Sequence, residues 1–221
     1  GGLEPEKQHM MTLEEMQEKL TYLMDRQEIL DVVNRYCRGV DRLDRDMVMS
    51  AYHQDAIDDH SMFVGSPDEF WTWVRKMHSE NHSSTQHMIG NHLAWIDGNV
   101  AHCETYLSYA GMNKTGAPFS AIGGRYIDRM EKRNGKWGIV AREYIVDWVA
   151  PSINTVEGSK TPEGGANYDC LQPFEFKVAE TAPQASRDRL DPSYRRPLEI
   201  DPERVSNYKV LSGGAKDAVG A

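Results

Sequence analysis

The sequence predicts an α+β domain followed by a long proline-rich arm. Three observations carry this. Apolar residues recur at helical spacing from Leu13 to Val40, four strand-like segments follow one another with turn signals between them, and prolines crowd the chain after Ala150. Helices first and a meander afterwards describe an α+β arrangement, not alternating βαβ units. At 221 residues the chain is long enough for one good core plus an appendage. We divide it into an extension of the first helix (1–19), the main domain (20–150) and the arm (151–221).

Leu13, Met16, Leu20, Leu23, Leu30, Val33, Cys37 and Val40 repeat at three- and four-residue steps. That spacing predicts one amphipathic helix to about Val40, with room for a kink near Asp25. Asp41 follows Cys37 by four residues and so falls on the side of the apolar stripe. A carboxylate there either caps the next short helix, Asp46 to Tyr52, or is held at a pocket. Capping suits Asp44 or Asp46 better. Ala56 to Phe63 reads as a short strand. Ser66-Pro67-Asp68-Glu69 then starts a third helix, with Ser66 as N-cap, Pro67 in the first position and acids in the first turn. Phe70, Trp71, Trp73, Val74 and Met77 form its apolar side, and it ends by about Asn81.

The first long strand, Ser84 to Ile96, runs into Asp97-Gly98-Asn99, a hairpin signal. In its opening run Thr85, His87, Ile89 and Asn91 share one face, because strand side chains alternate. Val100 to Met112 follows, with His102, Glu104, Tyr106 and Ser108 on one face and Ala101, Cys103, Leu107 and Tyr109 on the other. A looser loop, Asn113 to Pro118, leads to Phe119–Glu131. Asn134-Gly135 closes another hairpin into Trp137–Val149. Gly123-Gly124 lacks the spacing of a dinucleotide-binding loop and marks a bulge or close packing instead.

Seven of the ten prolines and none of the five tryptophans lie beyond Ala150. Proline-rich chain does not build sheet interiors, so the arm is expected to be extended, mostly without regular structure, and ordered by contact with its own domain or another copy.

Lys and Arg total 25 against 34 Asp and Glu, a net charge of −9. That balance argues against nucleic-acid binding, which needs clustered positive charge. No segment has the apolar length of a membrane span, and the N-terminus has no apolar signal-peptide core. Cys37, Cys103 and Cys170 are widely spaced and odd in number, which fits free thiols in a reducing compartment. The expected location is the cytoplasm.

A half-open cone closed by the long helix would enclose an apolar pocket, in which a few polar groups stand out. The candidates are Asp41, Tyr36, His60, His87, Tyr106, Arg125 and Arg142. A histidine on an apolar face is more often a satisfied core residue than a base. Beside a carboxylate it becomes the minimal general base: the acid fixes the tautomer and stabilises imidazolium while the other nitrogen takes a proton. Such a pair needs no metal or organic cofactor, and none is expected. The rival reading is a metal held by Asp58, Asp59, His60, His87 and His92, but their spacing matches no ligand motif and Asp58 and Asp59 point to opposite sides of a strand. His53, His78 and His82 read as surface residues.

The order Tyr36-Cys-Arg-Gly-Val-Asp41, Ala56-Ile-Asp-Asp-His60, Thr85-Gln-His87-Met-Ile-Gly90, Gly124-Arg-Tyr-Ile-Asp128 and Trp137 resembles the SnoaL-like branch of the nuclear-transport-factor-2-like (NTF2-like) superfamily, over about Leu20 to Val149. That branch includes scytalone dehydratase, hexachlorocyclohexane dehydrochlorinase and bile-acid 7α-dehydratase. The resemblance implies a cone of three helices on a strongly curved, mostly antiparallel sheet, and a homotrimer, with dimers also known. It implies Asp41 and His87 as a catalytic dyad, with His60 and Tyr36 at positions where relatives place tyrosines. The second pocket histidine of scytalone dehydratase has no match, since Ser108, Tyr109 and Ala110 occupy that region.

The reading is therefore a cofactor-independent lyase, a dehydratase-type enzyme acting on a hydrophobic aromatic or alicyclic small molecule. His87 removes a proton, Asp41 orients it, and Tyr36 or His60 assists the leaving hydroxyl. One alternative is an isomerase, or a C–C lyase releasing a small aldehyde, for example from a lignin-derived diaryl compound. Another is a ligand-binding module without turnover.

Overall fold

The computed structural model describes residues 10–115, 119–150 and 171–218. Gly1-Gly2, the end of the loop after Asn113 and the start of the arm through Cys170 lie outside the described residues. The apolar stripe folds as one uninterrupted helix, α1 (Leu13–Arg42), started by a capping box in which Thr12 and Glu15 satisfy each other's backbone N–H groups. Its second half carries the buried residues Ile29, Val33, Cys37 and Val40, whereas Leu13, Met16, Leu20 and Leu23 stay exposed. Asp44, not Asp46, caps α2 (Arg45–Met49). Strands β1 (Tyr52–Asp59) and β2 (Val64–Gly65) precede α3 (Pro67–Asn81), which starts at the expected Ser66 cap with Pro67 in its first turn.

Four long strands follow: β3 (His82–Asp97), β4 (Val100–Asn113), β5 (Phe119–Arg133) and β6 (Lys136–Val149). Asn134 and Gly135 both have positive φ, 50° and 78°, the combination a two-residue primed turn requires. The sheet order is β2-β1-β6-β5-β4-β3. Every pairing is antiparallel except β1 with β6, so the sheet is mixed and mostly antiparallel. Helices α1, α2 and α3 pack on its inner face, around a core that includes Ile29, Tyr36, Phe70, Tyr126 and Ile139.

Two irregularities decide which side chains face inward. On β3 the register shifts between Ile89 and His92, which pair with Leu107 and Thr105. One extra residue there reverses the alternation, so Thr85, His87 and Ile89 point inward before the bulge, and His92, Ala94 and Ile96 after it. Asn91 accordingly drops off the face it was expected to share with His87. A second shift lies opposite Gly123-Gly124, where a Cβ on Gly123 would sit 2.1 Å from the Trp148 ring.

The arm differs from expectation. Its described part contains α4 (Pro173–Ala179), a 3-10 turn (Pro192–Tyr194) and α5 (Pro202–Ala218). Pro173, Pro192 and Pro202 each stand at the first position of these elements, where the missing N–H has no partner to lose, so they start helices instead of breaking them. The arm lies on its own domain. Leu198 is fully buried against Ile127, Ala141 and Ile145 on the outer face of the sheet. Arg204 of α5 is clamped to Asp59 by two hydrogen bonds of 2.7 and 2.9 Å.

Candidate active site

Asp41 sits in the last turn of α1, facing β3. Its carboxylate accepts three hydrogen bonds: Thr85 Oγ1 at 2.9 Å, the His87 backbone N–H at 2.9 Å and His87 Nδ1 at 2.6 Å. Thr85 and His87 reach it together because they are two apart on one strand. Burial raises the Asp41 carboxyl, but the hydrogen bonds and charge of His87 outweigh it and hold the group below its ordinary value. With Nδ1 engaged, Nε2 is left as the nitrogen that can meet a ligand.

The His87 ring lines a cavity between α3 and the sheet that encloses about 760 Å³ of atom-free space, its open mouth included. The part of it that a water-sized sphere can fill is about 100 Å³, a narrow space beside the usual small-molecule pocket. The wall is largely aromatic and apolar, with Tyr36, Trp73, Tyr109, Tyr126 and Tyr144 among its residues. His60 lines the same cavity, stacked on Tyr144 at 4.7 Å between ring centroids. Its Nδ1 is 2.9 Å from Oδ1 of Asp58, a fully buried carboxylate that also accepts from the Tyr52 hydroxyl. Asp58 and His60 meet because they too are two residues apart in extended chain.

His78 and His82 are corrections: both are buried, at 6% and 8% exposure, and both line the cavity. His78 lies four residues after Val74 on the apolar stripe of α3, a signal the sequence carried. Their Nδ1 atoms are 3.1 Å apart, and Tyr109 Oη is 3.2 Å from His82 Nε2. Burial pushes His78 well below the ordinary histidine value and His82 down to about 4, so both are neutral near pH 7. Tyr109, on β4 where no pocket histidine was found, packs 4.9 Å from His87.

Three other expected pocket residues do not line this cavity. Tyr106 is on the outward parity of β4, half-exposed beside the arm. Arg125 is outward on β5, where Asp191 of the arm takes it in two hydrogen bonds of 2.9 Å, and Glu104 and Asp147 take its remaining donors. Those bonds, Asp191's first, push its pKa further up. Arg142 does face inward, but it is fully buried beneath the floor. It pairs with Asp128 at 2.7 and 2.8 Å and lies 4.2 Å and 4.1 Å from the Tyr36 and Tyr126 ring centres.

The residues considered for a metal do not gather at one point. Asp59 is held by Arg204, Asp58 by Tyr52 and His60, and His92 Nδ1 lies 2.8 Å from Thr105 Oγ1. Among the described residues no group of three or more His, Cys, Asp or Glu is placed to hold a metal ion. Cys37 is buried, and burial pushes its thiol up to about 12, which rules it out as a thiolate near neutrality. No described helix is long and apolar enough to cross a membrane.

Residues 21–143 match the model of the SnoaL-like domain. The chain belongs to that family. Its fold is correspondingly NTF2-like, as solved structures bear out. A putative scytalone dehydratase from Novosphingobium aromaticivorans is 16% identical, with a TM-score of 0.56 over 67% of this chain and 99% of that one. A type 3 hexachlorocyclohexane dehydrochlorinase from Novosphingobium barchaimii is 17% identical, with a TM-score of 0.57 over 64% and 96%. LinA is 15% identical, with a TM-score of 0.59 over 64% and 98%. No curated protein matches the chain.

Proposed function

We propose that this protein is a cofactor-independent lyase acting on a hydrophobic, aromatic or alicyclic small molecule. The observation that carries the proposal is the 2.6 Å contact between His87 Nδ1 and Asp41 in the wall of an aromatic cavity. A histidine so held keeps its Nε2 lone pair toward a ligand, and the carboxylate behind it stabilises the imidazolium formed when a proton arrives. His87 takes a proton from a carbon acidified by a neighbouring carbonyl, aryl or halogen-bearing group. The C–H electron pair becomes the new double bond, and hydroxide or halide departs with the pair of the bond that breaks. Tyr36 and Tyr126 offer flat apolar surface to a planar ring. The dehydratase and dehydrochlorinases that share the fold are, by their names, eliminating enzymes, which agrees with this chemistry.

The same base can instead take an O–H proton and release a small aldehyde by C–C cleavage. The experiment separates the two. The protein is incubated with a panel of β-hydroxy aryl ketones, chlorinated cyclohexanes and diaryl propanediols, and products are read by mass spectrometry. Elimination gives loss of water or hydrogen chloride, and the alternative gives loss of formaldehyde. Turnover is expected without added cofactor and after exhaustive chelation. Turnover that stops with chelator and returns with metal would overturn the mechanism.

A further inference from the structure

The cavity has a second histidine backed by a second carboxylate. His60 directly follows β1 and His87 lies on β3, two strands with three others between them in the sheet, yet both rings line one cavity. His60 repeats the construction of His87. Its Nδ1 is 2.9 Å from a carboxylate oxygen, its side chain is 12% exposed, and its carboxylate partner is fully buried. Asp58 is better enclosed than Asp41 and is fixed from its other side by Tyr52. The turn that presents His60 is also secured. Ser61 adopts φ 65°, its N–H bonds Asp59, and its carbonyl accepts from Arg204 of α5. A merely space-filling histidine would need none of this.

We propose that His60, positioned by Asp58, is the proton donor of this site. The inference rests on reading His87 as the base. The cavity then carries a base and an acid brought in from opposite ends of the sheet on its inner face. His87 Nε2 takes the proton from carbon, and the C–H pair forms the new π bond. The C–O pair leaves with the oxygen, and the Nε2–H of His60 protonates that oxygen. His87 ends protonated and His60 neutral, and proton exchange with water at the mouth restores both. A donor of this kind makes poor leaving groups usable, because the oxygen departs as a neutral hydroxyl instead of an anion. Asp58 and Tyr52 are positioning residues in this scheme.

The test uses two ring-opening probes that differ only in their leaving group, 5-nitrobenzisoxazole and unsubstituted benzisoxazole. In each, loss of the C3 proton breaks the N–O bond and releases a cyanophenolate. The nitro compound leaves readily as an anion, and the parent needs its oxygen protonated. His60→Gln is expected to raise the ratio of nitro to parent turnover on the order of tenfold or more, the usual scale for a positioned acid. His87→Gln is expected to lower both rates and leave that ratio unchanged. Asp58→Asn should move the ratio as His60→Gln does, and if it does not fold, His60→Gln alone decides. An unchanged ratio in His60→Gln would make His60 structural and overturn the proposal. Turnover of both probes that survives His87→Gln, or no acceleration of either by the native protein, would overturn the base reading and this inference with it.

Discussion

On the inner face of the sheet the charged groups come in separate pairs: Asp41 with His87, Asp58 with His60, Asp128 with Arg142. On the outer face they form a network in which Arg125 alone holds Glu104, Asp147 and Asp191. A pair leaves each histidine one nitrogen for the cavity. The network uses Nε, Nη1 and Nη2 of Arg125, and what it fastens is the arm. The same residue types thus serve a ligand on one face and architecture on the other, and the difference lies in their partners.

The largest expected effect breaks an inner pair that faces no ligand. Arg142→Met strands Asp128 in the core and should cost about 3–5 kcal/mol, read from the denaturant midpoint. Were the loss under 1 kcal/mol, the buried pair would not matter to the floor of the site. His87→Gln touches the pair that does face the cavity. It should leave the circular dichroism spectrum unchanged and reduce turnover about 100-fold. On the outer face, Asp191→Asn removes charge from the arm's anchor while keeping its shape. It should cost about 1–2 kcal/mol and raise hydrogen exchange in 186–200, with turnover little altered. Equal exchange in variant and native protein would mean that Leu198 and its neighbours hold the arm without Arg125.

The smallest effect is a pH dependence. The folded value of His82, about 4, lies below the ordinary 6.5, so between those values the unfolded chain binds the proton that the folded chain refuses. Stability from this group is therefore complete above pH 6.5 and is lost as pH falls toward 4. The loss should be on the order of 1 kcal/mol between pH 7 and 5.5. His82→Gln should flatten that part of the thermal-midpoint profile, and an unaltered slope would place the proton elsewhere.

The fold was legible because its signals are local: helix spacing, the Ser66 cap, and the turns at Asp97-Gly98 and Asn134-Gly135. Asp41 and His87 were legible because parity and helical spacing put each on an inward face. The failures are non-local or concern a single residue. Strand parity already set Tyr106 opposite Leu107 and Tyr109, and so outside the cavity. Nothing near Arg125 in sequence announces Asp191, and nothing near Arg142 indicates that Asp128, across a strand pair, consumes it. The extra residue between Ile89 and His92 has no marker beyond Gly90-Asn91. The prolines of the arm misled because a proline that starts a helix and one that forbids it are the same residue in different positions.

Asp41 and Asp147 make the comparison decisive, since one carboxylate stands behind His87 and the other beside Arg125. The measurement is the rate of 5-nitrobenzisoxazole opening, followed by nitrophenolate absorbance, in Asp41→Asn and Asp147→Asn. The account predicts a fall of about tenfold or more in Asp41→Asn, the scale of a general base that has lost its orienting partner, and a change of less than about twofold in Asp147→Asn. Equal rates in the two variants would contradict it.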